Sequence, residues 1–253
     1  MWKNSVSIIL NVFGELYDAT DYLVPKKNLM LEMLCSSDSV ISSSCYCADS
    51  FKTIGNERQI DVIYVGVSLS RFSDGALLRK DYRESLAITD DTTVLLFMGR
   101  FNKEMGLHAI LEMIPSLMDD SSQEFHVILA GATGELVESA LKSKQNYPDA
   151  ITIMNDIPFD LQPTLYAAAD IVLTPSRDKH ACMGVSIKEA MAASVPVIAS
   201  DSGGITEAVV DNETGVIVPL LENGENDTEK YLQAILSLSK DPERMDLFAK
   251  NSR

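Results

Sequence analysis

The C-terminal part of the chain alternates short, continuously apolar runs with segments of helical periodicity. Continuous hydrophobicity, without polar alternation, is typical of strands that helices cover on both faces, as in a parallel sheet. The pattern therefore predicts a doubly wound α/β domain. The six runs are VLLFM at 94–98, HVILA at 126–130, ITIM at 151–154, IVLT at 171–174, VPVIA at 195–199 and GVIV at 215–218.

Two apolar stripes at helical spacing predict helices between and after these runs. Pro115 works against the first helix, because proline removes a backbone donor. Near the end, Asp241 and Pro242 are a good N-cap and first residue for a last helix. The stripes are Leu107, Ile110, Leu111, Ile114, Leu117 and Met118, and then Tyr231, Ile235 and Leu238.

The chain is predicted to contain two domains. Residues 1–67 also alternate strand-like and helix-like segments, and we interpret them as the end of another α/β domain. Residues 68–93 are polar with isolated apolar positions, which is typical of a hinge or linker. Residues 94–253 form the second domain, with no internal repeat.

The chain of 253 residues has a formal net charge of −16. This charge opposes approach to nucleic acid and anionic lipid, so we expect no nucleic-acid partner. A small phosphate ligand can still bind where helix N-termini and cations gather locally. No apolar run approaches the roughly 20 residues of a spanning helix, and no signal peptide is evident. We expect a cytoplasmic protein.

The cysteines are too sparse for a disulfide scaffold in a domain of this size, so we expect reduced thiols. Cys45 and Cys47 form a C-x-C pair, which could in principle hold a metal with histidines from elsewhere. We expect no metal and no cofactor. The other cysteines are Cys35 and Cys182, and the histidines are His108, His126 and His180.

Ligands of doubly wound sheets bind beyond the carboxyl ends of the strands. After the first run, Gly99 permits close backbone approach, Arg100 supplies a permanent cation, and Lys103 is nearby, which suits a diphosphate. The alternative is a tight turn with solvated charges. His180 is the only histidine in a candidate ligand loop, since His108 and His126 are interpreted as structural.

Two further strand ends have unusual sequences. After the fourth run, Gly184 opens a helix that carries Glu189, which can accept hydrogen bonds from ribose hydroxyls; the alternative is an exposed helix residue. After the fifth run, Gly203 and Gly204 indicate a second backbone-lined helix start with Glu207 just inside it. The alternative there is a turn that needs positive φ.

Several segments, taken in order, resemble the C-terminal domain of group 1 (family 4) glycosyltransferases, which have the GT-B fold. They are GRFNKEMG, LAGATGELVESAL, LYAAADIVLTPS, MGVSIKEAMAASVPVIASDSGGITE and NETGVIVP, within Val94–Arg253. Weaker similarity extends upstream, in SIILNVFGE, SDSVISSS and VIYVGVSLSRF. The resemblance implies a Rossmann-like donor domain and an incomplete Rossmann-like N-terminal domain.

The resemblance also implies an activity and site roles. A hexosyl group would move from a UDP- or GDP-sugar to a glycan or lipid acceptor, with retention of configuration and without a metal. Arg100 would stabilise the departing diphosphate and Glu189 would hold the ribose. Gly184 and Val185 would face the diphosphate and sugar, and the glycines at 203 and 204 would shape the cleft floor.

The chain departs from the family pattern at several positions. Met105 stands where a phosphate-binding lysine is usual, and Ala181 where a sugar-contacting glutamate is usual, although His180 reaches that place with a one-residue insertion. The hinge reads VGV at 65–67 instead of NGV, and Phe13-Gly14 replaces His-Gly. The sequence looks incomplete at both ends, so any peripheral membrane contact through the N-terminal domain would lie in a missing region.

Three functional hypotheses follow. The first is a retaining glycosyltransferase, with Arg100 and Glu189 as its central residues. The second is a catalytically degenerate nucleotide-sugar-binding module, because Met105 and Ala181 remove two charged donor contacts. The third, a dinucleotide-dependent oxidoreductase, is disfavoured because no G-x-G-x-x-G follows any strand.

Overall fold

The computed structural model describes residues 7–12, 27–179 and 181–252. These residues divide into two compact units. The first unit contains the described residues up to Gly66, together with Asp178–Gly184 and Ser202–Ala208. The second unit contains Val67–Arg177, Val185–Asp201 and the described residues from Val209 onward. In the described part of the chain, no helix combines the length and apolar character needed to cross a membrane.

The described residues of the first unit form a parallel sheet with two α-helices. Its strands pair in the order β1-β2-β3, and a small core of Val12, Leu34, Val40 and Phe51 is buried beside them. Ser44 caps the second helix, because its hydroxyl accepts the Cys47 N–H at 3.0 Å. The elements are β1 Ile9–Val12, α1 Lys27–Ser36, β2 Ser39–Ser42, α2 Cys45–Ser50, a 3₁₀ helix Phe51–Ile54 and β3 Asp61–Val62.

The second unit is built on a six-stranded sheet in which every strand pair is parallel. The strand order is β6-β5-β4-β7-β8-β9. Counted within this unit, the order is 3-2-1-4-5-6, that of a doubly wound sheet, and it confirms the predicted parallel sheet. The strands are β4 Thr93–Met98, β5 Phe125–Gly131, β6 Ile151–Asn155, β7 Ile171–Thr174, β8 Val197–Ser200 and β9 Gly215–Val218.

Seven α-helices are described in the second unit. They are α3 Gly75–Ser85, α4 Leu107–Met118, α5 Val137–Asn146, α6 Gln162–Ala168, α7 Val185–Ala192, α8 Thr228–Ser239 and α9 Pro242–Asn251. As predicted, Asp241 caps α9 by accepting the Arg244 N–H at 3.0 Å, with Pro242 as the first helical residue. The predicted stripe on α8 is fully buried.

Helix α4 continues through Pro115. A proline inside a helix costs about 3 kcal/mol, whereas burying one Leu or Ile side chain contributes about 1.5–3 kcal/mol. Ile110, Ile114 and Leu117 are all buried on this helix. Packing therefore outweighs the local preference that argued against a helix here.

The segment 68–93, predicted as a hinge or linker, contains a 3₁₀ helix, Leu69–Phe72, and α3. Arg79 and the buried Arg83 of α3 both form ion pairs with Asp170. The Asp170 carboxylate also accepts the Val94 N–H at 2.7 Å, which links α3 to the start of β4. Ion pairs, rather than an apolar stripe, attach this helix, so hydrophobic periodicity could not reveal it.

Stability should fall in acid because His126 is buried as a neutral side chain. Its Nε2 lies 2.9 Å from Thr152 Oγ1, and burial lowers its pKa from 6.5 to about 4. At a pH between these two pKa values, the histidine is protonated in the unfolded chain and neutral in the folded chain. Lowering the pH through this range therefore removes about 3 kcal/mol of stability. In urea unfolding, His126→Gln should reduce the loss of stability between pH 7 and pH 5. An equal loss in both proteins would contradict this assignment.

Candidate functional site

The β4 loop, residues 99–106, is held by backbone hydrogen bonds at the carboxyl edge of the second unit's sheet. The Gly99 N–H donates to the Ala130 carbonyl at 2.9 Å, and the Phe101 N–H donates to the Ala132 carbonyl at 3.0 Å. Both acceptors belong to β5 or to the residues directly after it. The loop therefore continues the sheet pairing beyond the end of β4.

Two glycines allow neighbouring chain segments to touch at this edge. A Cβ on Gly131 would lie 1.9 Å from the Gly99 carbonyl oxygen. A Cβ on Gly106, whose φ is +77°, would lie 1.8 Å from the Pro175 carbonyl oxygen. The sequence drew attention to Gly99, but the strict requirement for glycine falls on Gly131 and Gly106.

The side chains of the β4 loop differ in exposure. Arg100 and Lys103 are exposed, and within the described ranges neither forms an ion pair. The Lys103 N–H donates to the Glu135 carboxylate at 3.3 Å. Met105 is partly buried and packs against the apolar core of the second unit. The loop thus offers two exposed cations, while the residue at 105 contributes to packing.

Helix α7 carries Glu189 into a buried position. The helix begins at Val185, directly after Gly184, whose φ is +65°. Glu189 is only 8% exposed, so its interpretation as an exposed helix residue is wrong. Its carboxylate accepts the Tyr166 hydroxyl at 2.9 Å and lies 3.5 Å from an Arg71 nitrogen. Burial raises the pKa of Tyr166 well above its ordinary value, so the phenol remains protonated and donates.

Arg71 and Tyr166 were not singled out from the sequence. The Arg71 guanidinium stacks 3.5 Å from the centroid of the Phe159 ring and donates to the Phe159 carbonyl at 2.9 Å. It is thereby fixed beside Glu189. Arg71 lies in VSLSRF and Tyr166 in LYAAAD, two segments that carry the family resemblance. Their place in these segments is the only sequence signal for them.

In the first unit, Gly203 and Gly204 join two loops. Gly203 has φ +57°. This value agrees with the alternative interpretation of the segment, a turn that needs positive φ. The Gly204 N–H donates to the Ala181 carbonyl at 2.7 Å, and a Cβ on Gly204 would lie 1.5 Å from the Cys182 oxygen. The predicted second helix start is a 3₁₀ turn, Gly203–Glu207. Its glycines serve loop-to-loop contact.

Glu207, expected just inside a helix, ends this turn and caps α2. Its two carboxylate oxygens accept the N–H groups of Cys45 and Tyr46, at 2.8 and 2.6 Å. These donors belong to the first turn of α2, where backbone N–H groups lack helical partners. The carboxylate therefore has a structural role within the first unit.

Cys47 and Cys182 form a disulfide, which corrects the expectation of reduced thiols. The two cysteines are 135 positions apart, so sequence spacing could not pair them. The disulfide also removes Cys47 from the alternative C-x-C metal site, since a bonded sulfur is no thiolate ligand. Cys35 and Cys45 are free thiols. Independence from metals stays a prediction.

Some predicted positions lie outside the described residues, namely His180 and the Phe13-Gly14 pair. Of the other predicted site residues, Gly99, Arg100, Lys103, Val185 and Glu189 belong to the second unit, and Gly184, Gly203 and Gly204 to the first. Within the second unit, Val185 is exposed at the start of α7.

A cavity of about 970 Å³ lies at the opposite edge of the second unit's sheet. Its lining includes residues that precede β4, β5 and β6, such as Asp149, and the first residues of β5, such as His126. None of the predicted site residues lines it. Ligands of doubly wound sheets bind at the carboxyl edge, so the β4 loop remains the candidate site.

The strand order reverses between β4 and β7, and each of these strands ends in a polar loop. In doubly wound proteins this switch point is where ligands bind. The chain is thus a doubly wound α/β protein with two exposed cations, Arg100 and Lys103, at the edge of the sheet where such proteins bind ligands.

The model of the family "Glycosyl transferases group 1" matches residues 79–253. The chain belongs to this family. A putative glycosyltransferase of Bacillus subtilis, YtcC, is 28% identical over 203 residues, covering 76% of this chain and 48% of that protein. D-inositol 3-phosphate glycosyltransferase of Corynebacterium diphtheriae is 29% identical over 170 residues, covering 64% and 39%. The chain thus spans less than half the length of these relatives.

The crystal structure of Anabaena HepE in complex with UDP-glucose has a similar fold. Its TM-score is 0.78 at 19% identity, covering 97% of this chain and 66% of HepE. This likeness confirms the predicted fold class, a GT-B protein with Rossmann-like α/β architecture. The limits predicted for the domains and the roles predicted for the site residues stay predictions.

Replacing Gly106 should damage the carboxyl edge of the sheet. In Gly106→Ala, the methyl group would meet the Pro175 oxygen at 1.8 Å, in a backbone conformation that alanine disfavours. We expect a loss of about 2 kcal/mol, and a melting temperature lower by about 4–8 °C. Gly75→Ala is the matched control, because no atom lies within 4 Å of its added methyl group. Equal melting temperatures for the two variants would contradict the proposed contact.

Proposed function

We propose that the protein containing this chain is a retaining glycosyltransferase, which moves a hexosyl group from a nucleoside diphosphate sugar to an acceptor. The second unit would hold the donor. The observation that carries the proposal is the exposed Arg100, without an ion pair in the described ranges, on the loop after β4 in a group 1 family member.

Arg100 would bind the diphosphate and stabilise the charge that develops on it as the sugar leaves. A guanidinium is always protonated and can donate two parallel hydrogen bonds to phosphate oxygens. Its loop is fixed by backbone contacts with the residues after β5, so little reorganisation accompanies the reaction. Lys103, also exposed on this loop, would add a flexible second charge.

Glu189 would accept ribose hydroxyls. An ionised carboxylate offers about four acceptor positions, and Tyr166 and Arg71 engage only some of them. These partners also fix the orientation of the carboxylate, because Arg71 is itself held by Phe159. Preorganisation of this kind lowers the entropic cost of binding a nucleotide.

The relatives support a sugar-nucleotide donor. The crystal structure of HepE, which has a similar fold, contains UDP-glucose. UDP- and GDP-sugars are the donors that we propose, bound without a metal. The acceptor is a glycan or a lipid.

The alternative is a nucleotide-sugar-binding module without turnover. Met105 packs into the apolar core of the second unit and supplies no charge, and Ala181 supplies no carboxylate. A protein lacking both charges could retain donor binding and lose transfer.

Calorimetric titration of UDP, GDP, ADP and their sugars into this chain tests the proposal. We expect at least one nucleotide to bind, and Arg100→Ala to weaken it by about 10- to 100-fold, since a charge-assisted hydrogen bond contributes about 1.5–3 kcal/mol. Arg244→Ala is the matched control, because Arg244 lies at the start of α9 and bonds Asn212. It should leave affinity unchanged.

The outcomes separate the two functions. Absence of binding by any nucleoside diphosphate would contradict both. Binding without sugar transfer, once a complete N-terminal domain is supplied, would favour the module. Binding of NAD in place of UDP would refute both and favour an oxidoreductase.

A further inference from the structure

Arg177 lies on the loop after β7, at the same carboxyl edge as the β4 loop. Its N–H donates to the Glu104 carbonyl at 2.8 Å, and the Ser176 hydroxyl donates to the same oxygen at 3.3 Å. The contact of Gly106 with Pro175 holds these two loops together. Backbone geometry thus fixes Arg177 beside the residue that precedes Met105.

The Arg177 guanidinium is paired with the Glu225 carboxylate, which comes from the loop after β9. The side chains of Arg177 and Glu225 are 25% and 46% exposed. Water competes with an ion pair of this exposure, so the pair contributes little to stability. A diphosphate carries more negative charge than one carboxylate and can replace Glu225 as the partner of the guanidinium.

His108 shows that the cations of both loops gather at one place. Burial lowers the pKa of His108, and the nearby Arg177 and Lys103 lower it further, while Glu112 and Glu104 act in the opposite direction. The histidine Nε2 also lies 3.6 Å from the Glu225 carboxylate. Arg177 and Lys103 therefore lie around the same imidazole, which is neutral near pH 7 and leaves their charge intact.

The strand order indicates that a ligand binds beside these cations. It lies where the order reverses between β4 and β7, the position at which doubly wound sheets bind ligands. The chain as a whole carries a net charge of −16, so fixed cations at this edge are needed to hold an anion against the overall field.

We propose that Arg177 is a second phosphate-binding cation of the donor site, and that Glu225 neutralises it until the diphosphate of the donor displaces the carboxylate. Arg177 then supplies the charge that Met105 does not. This inference rests on the proposed binding of a nucleoside diphosphate and names a further residue for it.

A double-mutant cycle with UDP tests this exchange, provided that UDP binds the unmodified chain; GDP replaces it if only GDP binds. Arg177→Ala should weaken UDP binding about 10- to 100-fold and leave uridine binding unchanged, because uridine has no phosphate. Glu225→Gln should strengthen UDP binding about 3- to 10-fold, and this gain should vanish when Arg177 is also alanine. Glu222→Gln, in the same exposed loop, is the matched control and should have no effect.

A second variant distinguishes loss of the Arg177 charge from loss of folding. Where Arg177→Ala lowers the melting temperature, Arg177→Gln preserves hydrogen bonding without charge and should still weaken UDP binding.

Each outcome is decisive. If Arg100→Ala weakens UDP binding and the Arg177 variants do not, this inference is wrong and the proposed function stands. A gain in Glu225→Gln that persists without Arg177 would refute the exchange. If the unmodified chain binds no nucleoside diphosphate, the inference and the proposed function both fail.

Discussion

Contact between backbones at the carboxyl edge of the six-stranded sheet is the constraint on which the candidate site depends. Gly131 lies against the carbonyl of Gly99, and Gly106 against that of Pro175, with no room for a Cβ at either glycine. These contacts restrict the β4 loop and the loop after β7, so they fix the backbone position of Arg100. Rigid placement of this kind is what binding and stabilising a diphosphate requires, because it lowers the cost of organising charges around the ligand.

The sequence predicted most of the fold because most of it follows from continuous hydrophobicity. The six apolar runs form six parallel strands, and the order of these strands is that of a doubly wound sheet. Hydrophobic periodicity did not reveal helix α3, because polar pairs rather than an apolar stripe attach it. Helix α3 lies in the segment predicted as a linker, and Arg79 and Arg83 attach it to Asp170, about 90 positions away. Local preference also understated α4, since tertiary packing outweighs Pro115.

Less of the candidate site than of the fold could be predicted from the sequence. Glycines and charges at strand ends singled out Arg100 and Glu189, because doubly wound sheets bind ligands at one edge, and the roles of these residues stay predictions. The partners of these residues come from distant segments and leave no local pattern. The pairing of Arg177 with Glu225 spans 48 positions and the disulfide of Cys47 with Cys182 spans 135. Such contacts depend on the folded topology.

Hydrogen–deuterium exchange with and without a saturating nucleoside diphosphate tests the central claim most directly, that the carboxyl edge of the second unit binds the nucleotide. We expect slower exchange in residues 99–106 and in the first turn of α7, with no change around the cavity of about 970 Å³ at the amino edge. Protection at that cavity, with unchanged exchange in the β4 loop, would contradict this claim.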